Sequence, residues 1–163
     1  MLIKIPGKLP GLNDVISANR SNKYIGAKLK RETEQLLCVH IKNQCKRKYE
    51  RVRIAIAWYE PNKRRDFDNI CSGKKFILDA LVKSGILMGD GWKQIDPIFV
   101  ETFLLDKINP RIEVLLIDAN DPSELIKRNT MMIKELTKEN EQLFIKRETQ
   151  RNKNQISIEE LNL

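Results

Sequence analysis

Apolar and polar residues alternate cleanly over residues 51–59, RVRIAIAWY, the strongest strand signal in the chain. Val52, Ile54, Ile56 and Trp58 fall on one face, and Arg51, Arg53, Ala55, Ala57 and Tyr59 on the other, the period of a half-buried strand. Residues 2–6, LIKIP, give a short opening strand, after which Pro6, Gly7, Pro10 and Gly11 force a loop. Over residues 27–45 the spacing of Leu29, Leu36, Leu37 and Ile41 predicts a helix, with Lys28, Lys30, Arg31 and Lys42 between them. A second helix is expected to start at an Asp68 or Asn69 cap and run to about Ser84, with Gly85 as its stop. Ile70, Phe76, Ile77, Leu78, Ala80, Leu81 and Val82 wrap most of its circumference, so it should be a buried central helix. Residues 97–105 and 111–117 read as two more strands, and the turn at 106–110 predicts that they form a hairpin. The order β, α, β, α, β, β predicts an α/β fold: a small mixed β-sheet of about four strands packed with two main helices.

The pattern changes after Asp118. The expected division is a folded domain over residues 1–118 and a C-terminal helical extension over 119–163. One heptad frame fits the extension, with Ile126, Ile133, Asn140 and Arg147 at one seam position and Asn129, Leu136 and Leu143 at the other. That is the pattern of a short coiled-coil or interaction helix, although its polar seam residues also suit a solvated helix. Residues 148–163 are expected to be partly disordered.

Composition narrows the class. In 163 residues, 41% of them hydrophobic, a core can form without disulfides or a structural metal. Cys38, Cys45 and Cys71 are odd in number and show no CxxC spacing, so neither a disulfide framework nor a zinc finger is supported. Reduced thiols in a cytoplasmic protein are the simplest expectation. No apolar run approaches the roughly 20 residues that cross a bilayer, and the opening residues lack the apolar core of a signal peptide. Residues 20–65 carry 14 Lys and Arg against 4 Glu and no Asp, a balance of +10, whereas the whole chain carries +8. All of the excess positive charge lies in that segment, which can attract a polyphosphate backbone or simply form a solvated face.

Candidate chemistry concentrates in RRDFDNICSGKKFILDALVKSGILMGD, residues 64–90. Asp66 and Asp68 are two apart, so at the end of an extended segment they project to the same side. Two carboxylates held that close favour a cation between them. Hard oxygen ligands without a nearby His or Cys select Mg²⁺ or Mn²⁺ over zinc. Lys63, Arg64 and Arg65 precede the pair and suit phosphate approach, as does the basic run Lys46, Arg47 and Lys48. Lys74 and Lys75 are the helix residues able to stabilise charge on a phosphate. The same DxDN pattern also caps helices, where acidic side chains are favoured anyway. Asp90 stands beyond a helix of roughly 22 Å, so spacing alone does not bring it to the pair, and a site shared between two chains would also satisfy the geometry.

His40, the single histidine, lies in QLLCVHIKN and reads as a helix residue near the core. Trp58 belongs to the core face of its strand. Trp92, in the loop after Asp90, is the better placed of the two tryptophans to touch a nucleic acid. No GxxxxGK phosphate loop is present, and Ser72 and Cys71 lack a base partner for nucleophilic catalysis.

RRDFDN, followed by KFILDAL, KSG and a further Asp, resembles the RusA-type Holliday junction resolvases, across roughly residues 1–118 and most densely across 58–90. The PGLND loop and the LKRETEQLL helix belong to the same resemblance. It implies a dimeric α/β endonuclease of phage or bacterial origin that nicks branched DNA with Mg²⁺ or Mn²⁺ and needs no small-molecule cofactor. It places metal-binding aspartates at Asp66, Asp68 and Asp90. The family lysine, four residues before the Asp of DAL, falls on Lys75. Many members instead carry that lysine three positions after the DN asparagine, which here is Ser72, as if three residues had been added before DAL. Gly89 stands where some members have a second Asp. Besides junction resolution, a broader flap nuclease and a non-catalytic DNA-binding protein remain open.

Overall fold

The computed structural model describes residues 1–121 and residue 123. The heptad frame and the end of the expected C-terminal extension lie outside the described residues. Residues Met1–Asp121 form one compact unit. Its elements are β1 (Leu2–Pro6), α1 (Leu12–Ser21), α2 (Lys23–Gln44), β2 (Val52–Glu60), α3 (Phe67–Cys71), α4 (Lys74–Lys83), β3 (Ile95–Leu105) and β4 (Arg111–Asp118). The class is α/β, with one four-stranded mixed sheet in the order β1-β4-β2-β3.

The alternation in β2 translates directly into burial. Val52, Ile54, Ile56 and Trp58 are buried, and the intervening residues are half-buried. β4 follows the same rule through Ile112, Val114 and Leu116. Leu37 and Ile41 from α2, with Ile77, Ala80 and Leu81 from α4, belong to the same core as these strand residues. Each large aliphatic side chain buried in this way stabilises the fold by about 1.5–3 kcal/mol.

The expected hairpin of the last two strands does not form. β3 pairs in parallel with β2, Val52 opposite Ile95 and Glu60 opposite Leu105, while β4 pairs antiparallel with both β1 and β2. The chain from Asp106 to Pro110 steps over the end of β2, where the Asp106 amide donates to the Glu60 carbonyl at 2.8 Å. A step across one strand covers about 10 Å, and five residues span more than that. β3 is therefore an edge strand, a position that tolerates Pro97.

The helices depart from the sequence expectation in two places. The loop after β1 is shorter than read, because α1 begins at Leu12; the Asp14 carboxylate caps it by accepting from the Gly11 amide at 2.8 Å. Asn22 separates α1 from α2 and caps α2 through the Tyr24 amide, also at 2.8 Å. The single helix expected from Asp68 to Ser84 is broken into α3 and α4 at Ser72 and Gly73. A Cβ on Gly73 would lie 3.2 Å from the Leu9 Cβ and 3.3 Å from the Ile70 carbonyl, so the break lets the two helices close over Leu9. At the far end, Gly85 has φ +72°, the left-handed stop its sequence position announced. Among the described residues, no helix is long and apolar enough to cross a membrane.

Candidate active site

The helical connection between β2 and β3 delivers every candidate acidic residue. β2 ends at Glu60, whose buried carboxylate would be costly without a partner. Arg65 supplies one: its guanidinium donates twice to Glu60, through Nε at 3.2 Å and through Nη2, and once to the Leu9 carbonyl at 2.9 Å. Arg65 thereby fixes the end of the connection just before the DxD pair. It was expected to hold a DNA backbone; instead its donors are engaged within the protein. Lys63 and Arg64 remain exposed, and no described carboxylate pairs with either.

Asp66 precedes the first turn of α3, and Asp68 lies within it. Both are exposed. Their backbone carbonyls accept from Ile70 and Ser72 amides, but neither side chain hydrogen-bonds to a described residue. In particular Asp66 makes no side-chain cap, so the capping role that its position allowed is not used. Asn69, the next residue, is buried and structural. Its Oδ1 accepts from the Asn13 amide at 3.1 Å, and a Cβ on Gly11 would meet that oxygen at 2.2 Å. The PGLND loop thus docks on the DxDN segment through a glycine that leaves room for the asparagine.

Lys75 and Asp90 are brought together. The Lys75 Nζ donates to Asp79 Oδ1 at 2.6 Å and to Asp90 Oδ2 at 2.9 Å. The loop after α4 therefore returns far enough to meet the first turn of that helix. The Asp79 hydrogen bond, followed by that of Asp90, raises the Lys75 pKa above its ordinary value, so the amine is a cation at neutral pH and cannot serve as a general base. Burial pushes the Asp79 carboxyl upward, but the pairs with Lys75 and Lys30 outweigh it and hold the group below the ordinary carboxylate range. Lys30 lies 3.4 Å from Asp79 and 3.6 Å from Glu34, which is also bound by Lys83. Charges alternate along this chain of side chains from Lys83 to Asp90, fixing Lys75 from behind.

Lys74 turns the other way. It pairs with Glu101 on β3 and lies 5.2 Å from the centre of the Phe99 ring. Glu101 also accepts from the Trp58 Nε1 at 3.1 Å. Of the two helix lysines, only Lys75 thus reaches a sequence-predicted carboxylate. The distant basic run is divided in the same manner: Lys46 and Lys48 are exposed, whereas Arg47 pairs with Asp118 and lies 4.7 Å from the Tyr49 ring centre. The three cysteines are free thiols.

Among the described residues, no three His, Cys, Asp or Glu side chains gather closely enough to form a metal cage. Asp66 and Asp68 nonetheless present two hard carboxylates with no side-chain partner among the described residues. That donor set suits Mg²⁺, which is commonly held by one or two carboxylates, with water and substrate phosphate oxygens completing its shell.

Sequence reasoning missed Asp79, Glu60 and Asn69. The Lys75–Asp79 spacing of four residues on a helix was the available signal for the first. Glu60 and Asn69 gave none, since their partners Arg65 and Asn13 meet them only through the fold. No family model and no curated protein matches the chain.

Proposed function

We propose that this protein is a metal-dependent endodeoxyribonuclease acting on Holliday junctions or related branched DNA. The observation that carries the proposal is the Lys75–Asp90 contact at 2.9 Å. It joins two residues fifteen positions apart that the motif resemblance to RusA-type resolvases assigns to one site, despite the added residues in the helix. Asp66 and Asp68, whose side chains have no partner among the described residues, would supply the oxygen donors that such chemistry needs.

In this proposal Asp66 and Asp68 hold Mg²⁺ or Mn²⁺, and Asp90, the third aspartate that the resemblance assigns to the metal, is held by Lys75 and does not join them in a three-carboxylate cluster. The ion, when bound, would activate water and offset the charge developing on the phosphate. Lys75 contributes a fixed positive charge. Its ammonium, held by Asp79, stabilises the phosphate in the transition state more than in the ground state, which is what accelerates the reaction. Lys63 and Arg64, with Lys46 and Lys48, attract the backbone without reading sequence. A homodimer, implied by the resemblance, would supply the paired sites that symmetric cutting of a four-way junction requires. The basic charge and lack of a membrane-crossing helix among the described residues are compatible with a cytoplasmic protein acting on DNA.

Product mapping on a synthetic four-way junction tests this function. Symmetric paired nicks that depend on Mg²⁺ or Mn²⁺ are expected. Single nicks confined to flaps would move the assignment to a flap nuclease, and binding without cleavage would reduce the protein to a DNA-binding module.

A further inference from the structure

The loop between α4 and β3 exposes an aromatic side chain that the proposed cleavage machinery does not use. Trp92 is 86% exposed, as is Met88 in the same loop. Solvating so large an apolar ring is unfavourable, and the loop is not loosely held. Buried Leu87 and Ile95 anchor its two sides. The Gln94 and Ile95 amides donate to the Gly91 carbonyl at 3.0 and 2.9 Å, and the Gln94 carbonyl accepts from Val52 at 2.8 Å. Between these anchors, Asp90 is tied to Lys75. The loop thus holds Trp92 two residues, or about 7 Å of extended chain, from a residue of the proposed site.

Trp92 also forms one wall of a cavity of about 350 Å³, which Leu78, Pro97 and Phe99 line together with two acidic residues, Asp90 and Asp96, the first paired with Lys75 and the second with Arg53. Lys93 follows the tryptophan and is exposed. An aromatic face beside an apolar recess, with a lysine and the proposed phosphate site adjacent, suits a planar apolar group attached to an anionic chain. A nucleobase taken out of its stack has that chemistry, and every base offers a π-face, so stacking of this kind is tolerant of sequence.

We propose that Trp92 stacks on a nucleobase whose face is left uncovered at the branch point and so selects DNA containing unstacked bases over continuous duplex. The inference rests on the proposed nuclease function and adds a specificity-determining residue to it. Base pairs at an intact duplex keep their faces covered by neighbours, so the ring has nothing to stack on; a branch or a gap removes that cover.

The two tryptophans make the test direct. Trp58 is buried and hydrogen-bonded to Glu101, so a change in the emission of solvent-exposed tryptophan reports Trp92. The full chain is titrated in EDTA, which prevents cutting, with three probes: a single-stranded oligonucleotide, a continuous duplex and a four-way junction carrying unpaired bases at its centre. Expected are strong quenching by the single strand and the junction, and little by the duplex. Trp92→Leu should weaken binding to the first two by about tenfold and leave duplex binding unchanged, while Trp92→Phe should retain most of the affinity. Equal quenching by duplex and single strand, or unchanged junction affinity in Trp92→Leu, would overturn the stacking role. If the Trp92→Leu protein also cuts junctions normally, the nuclease function stands and only this inference fails. Absence of binding to every DNA form by the wild type, both in EDTA and with a divalent ion present, overturns both.

Discussion

At the scale of single residues, the site separates two lysines that the sequence presents side by side. Lys75 is committed to Asp79 and Asp90, and Lys74 to Glu101. Replacing Lys75 by Met should therefore lower the rate of junction cleavage by about a hundredfold and leave junction affinity within a few-fold, as single-turnover kinetics and binding titrations can show. Equal losses in rate and affinity would assign Lys75 to binding alone. Asp79 makes a separate prediction. Its folded carboxyl is held below the ordinary value, so its contribution to stability is present above about pH 4 and is lost as pH falls through the folded value. Urea unfolding of Asp79→Asn should lose less stability than the wild type between pH 5 and pH 3; parallel curves would contradict the pairing. Arg65 and Lys63 should also behave differently. Arg65→Ala leaves Glu60 buried without its partner and is expected to cost about 3 kcal/mol in urea unfolding. Lys63→Ala should leave stability unchanged and lower the salt slope of DNA binding by about one.

At the scale of elements, the parts read best in the sequence are those whose information is local. β2 carries its burial in strict alternation, and Gly85 its helix stop in one residue. The failures have non-local causes. Nothing within residues 97–117 reveals that β2 separates their two strands, because strand order is decided by which partner completes the sheet. The break in the α3–α4 segment depends on Leu9, about sixty positions earlier, lying against Gly73. α1 is not announced by the sequence, because it is only ten residues long and none of its residues is fully buried. Of the candidate site, Asp66 and Asp68 stand out by their spacing, whereas Lys75 and Asp90 are singled out by the motif resemblance. Whether helix spacing could bring Lys75 to Asp90 was not legible, since that contact depends on the loop's return. The docking of the PGLND loop on Asn69 adds a prediction at this scale. Gly11→Ala places a Cβ against the Asn69 oxygen and backbone, so it should lower stability by about 1–3 kcal/mol, measured by thermal or urea unfolding. A neutral effect would mean that the loop moves away at no cost.

At the scale of the whole molecule, the charge pattern and the site support one account. The positive excess lies in residues 20–65, and the acidic pair follows directly after it. A polyanion drawn to the basic stretch would meet carboxylates that repel it unless a divalent cation intervenes, which couples substrate approach to metal binding. Affinity for branched DNA should accordingly fall steeply with salt and rise on adding Mg²⁺ at constant ionic strength. The decisive residue in that coupling is Asp68, whose exposed side chain has no described protein partner to lose. Its replacement by Asn removes a charge and leaves the fold intact. The most direct test is cleavage of a four-way junction by the wild type and by Asp68→Asn, each with and without Mg²⁺. The account predicts Mg²⁺-dependent nicking by the wild type, and loss of nicking with retained junction binding in Asp68→Asn. Equal cleavage by the two proteins, or none by the wild type with either Mg²⁺ or Mn²⁺, would contradict it.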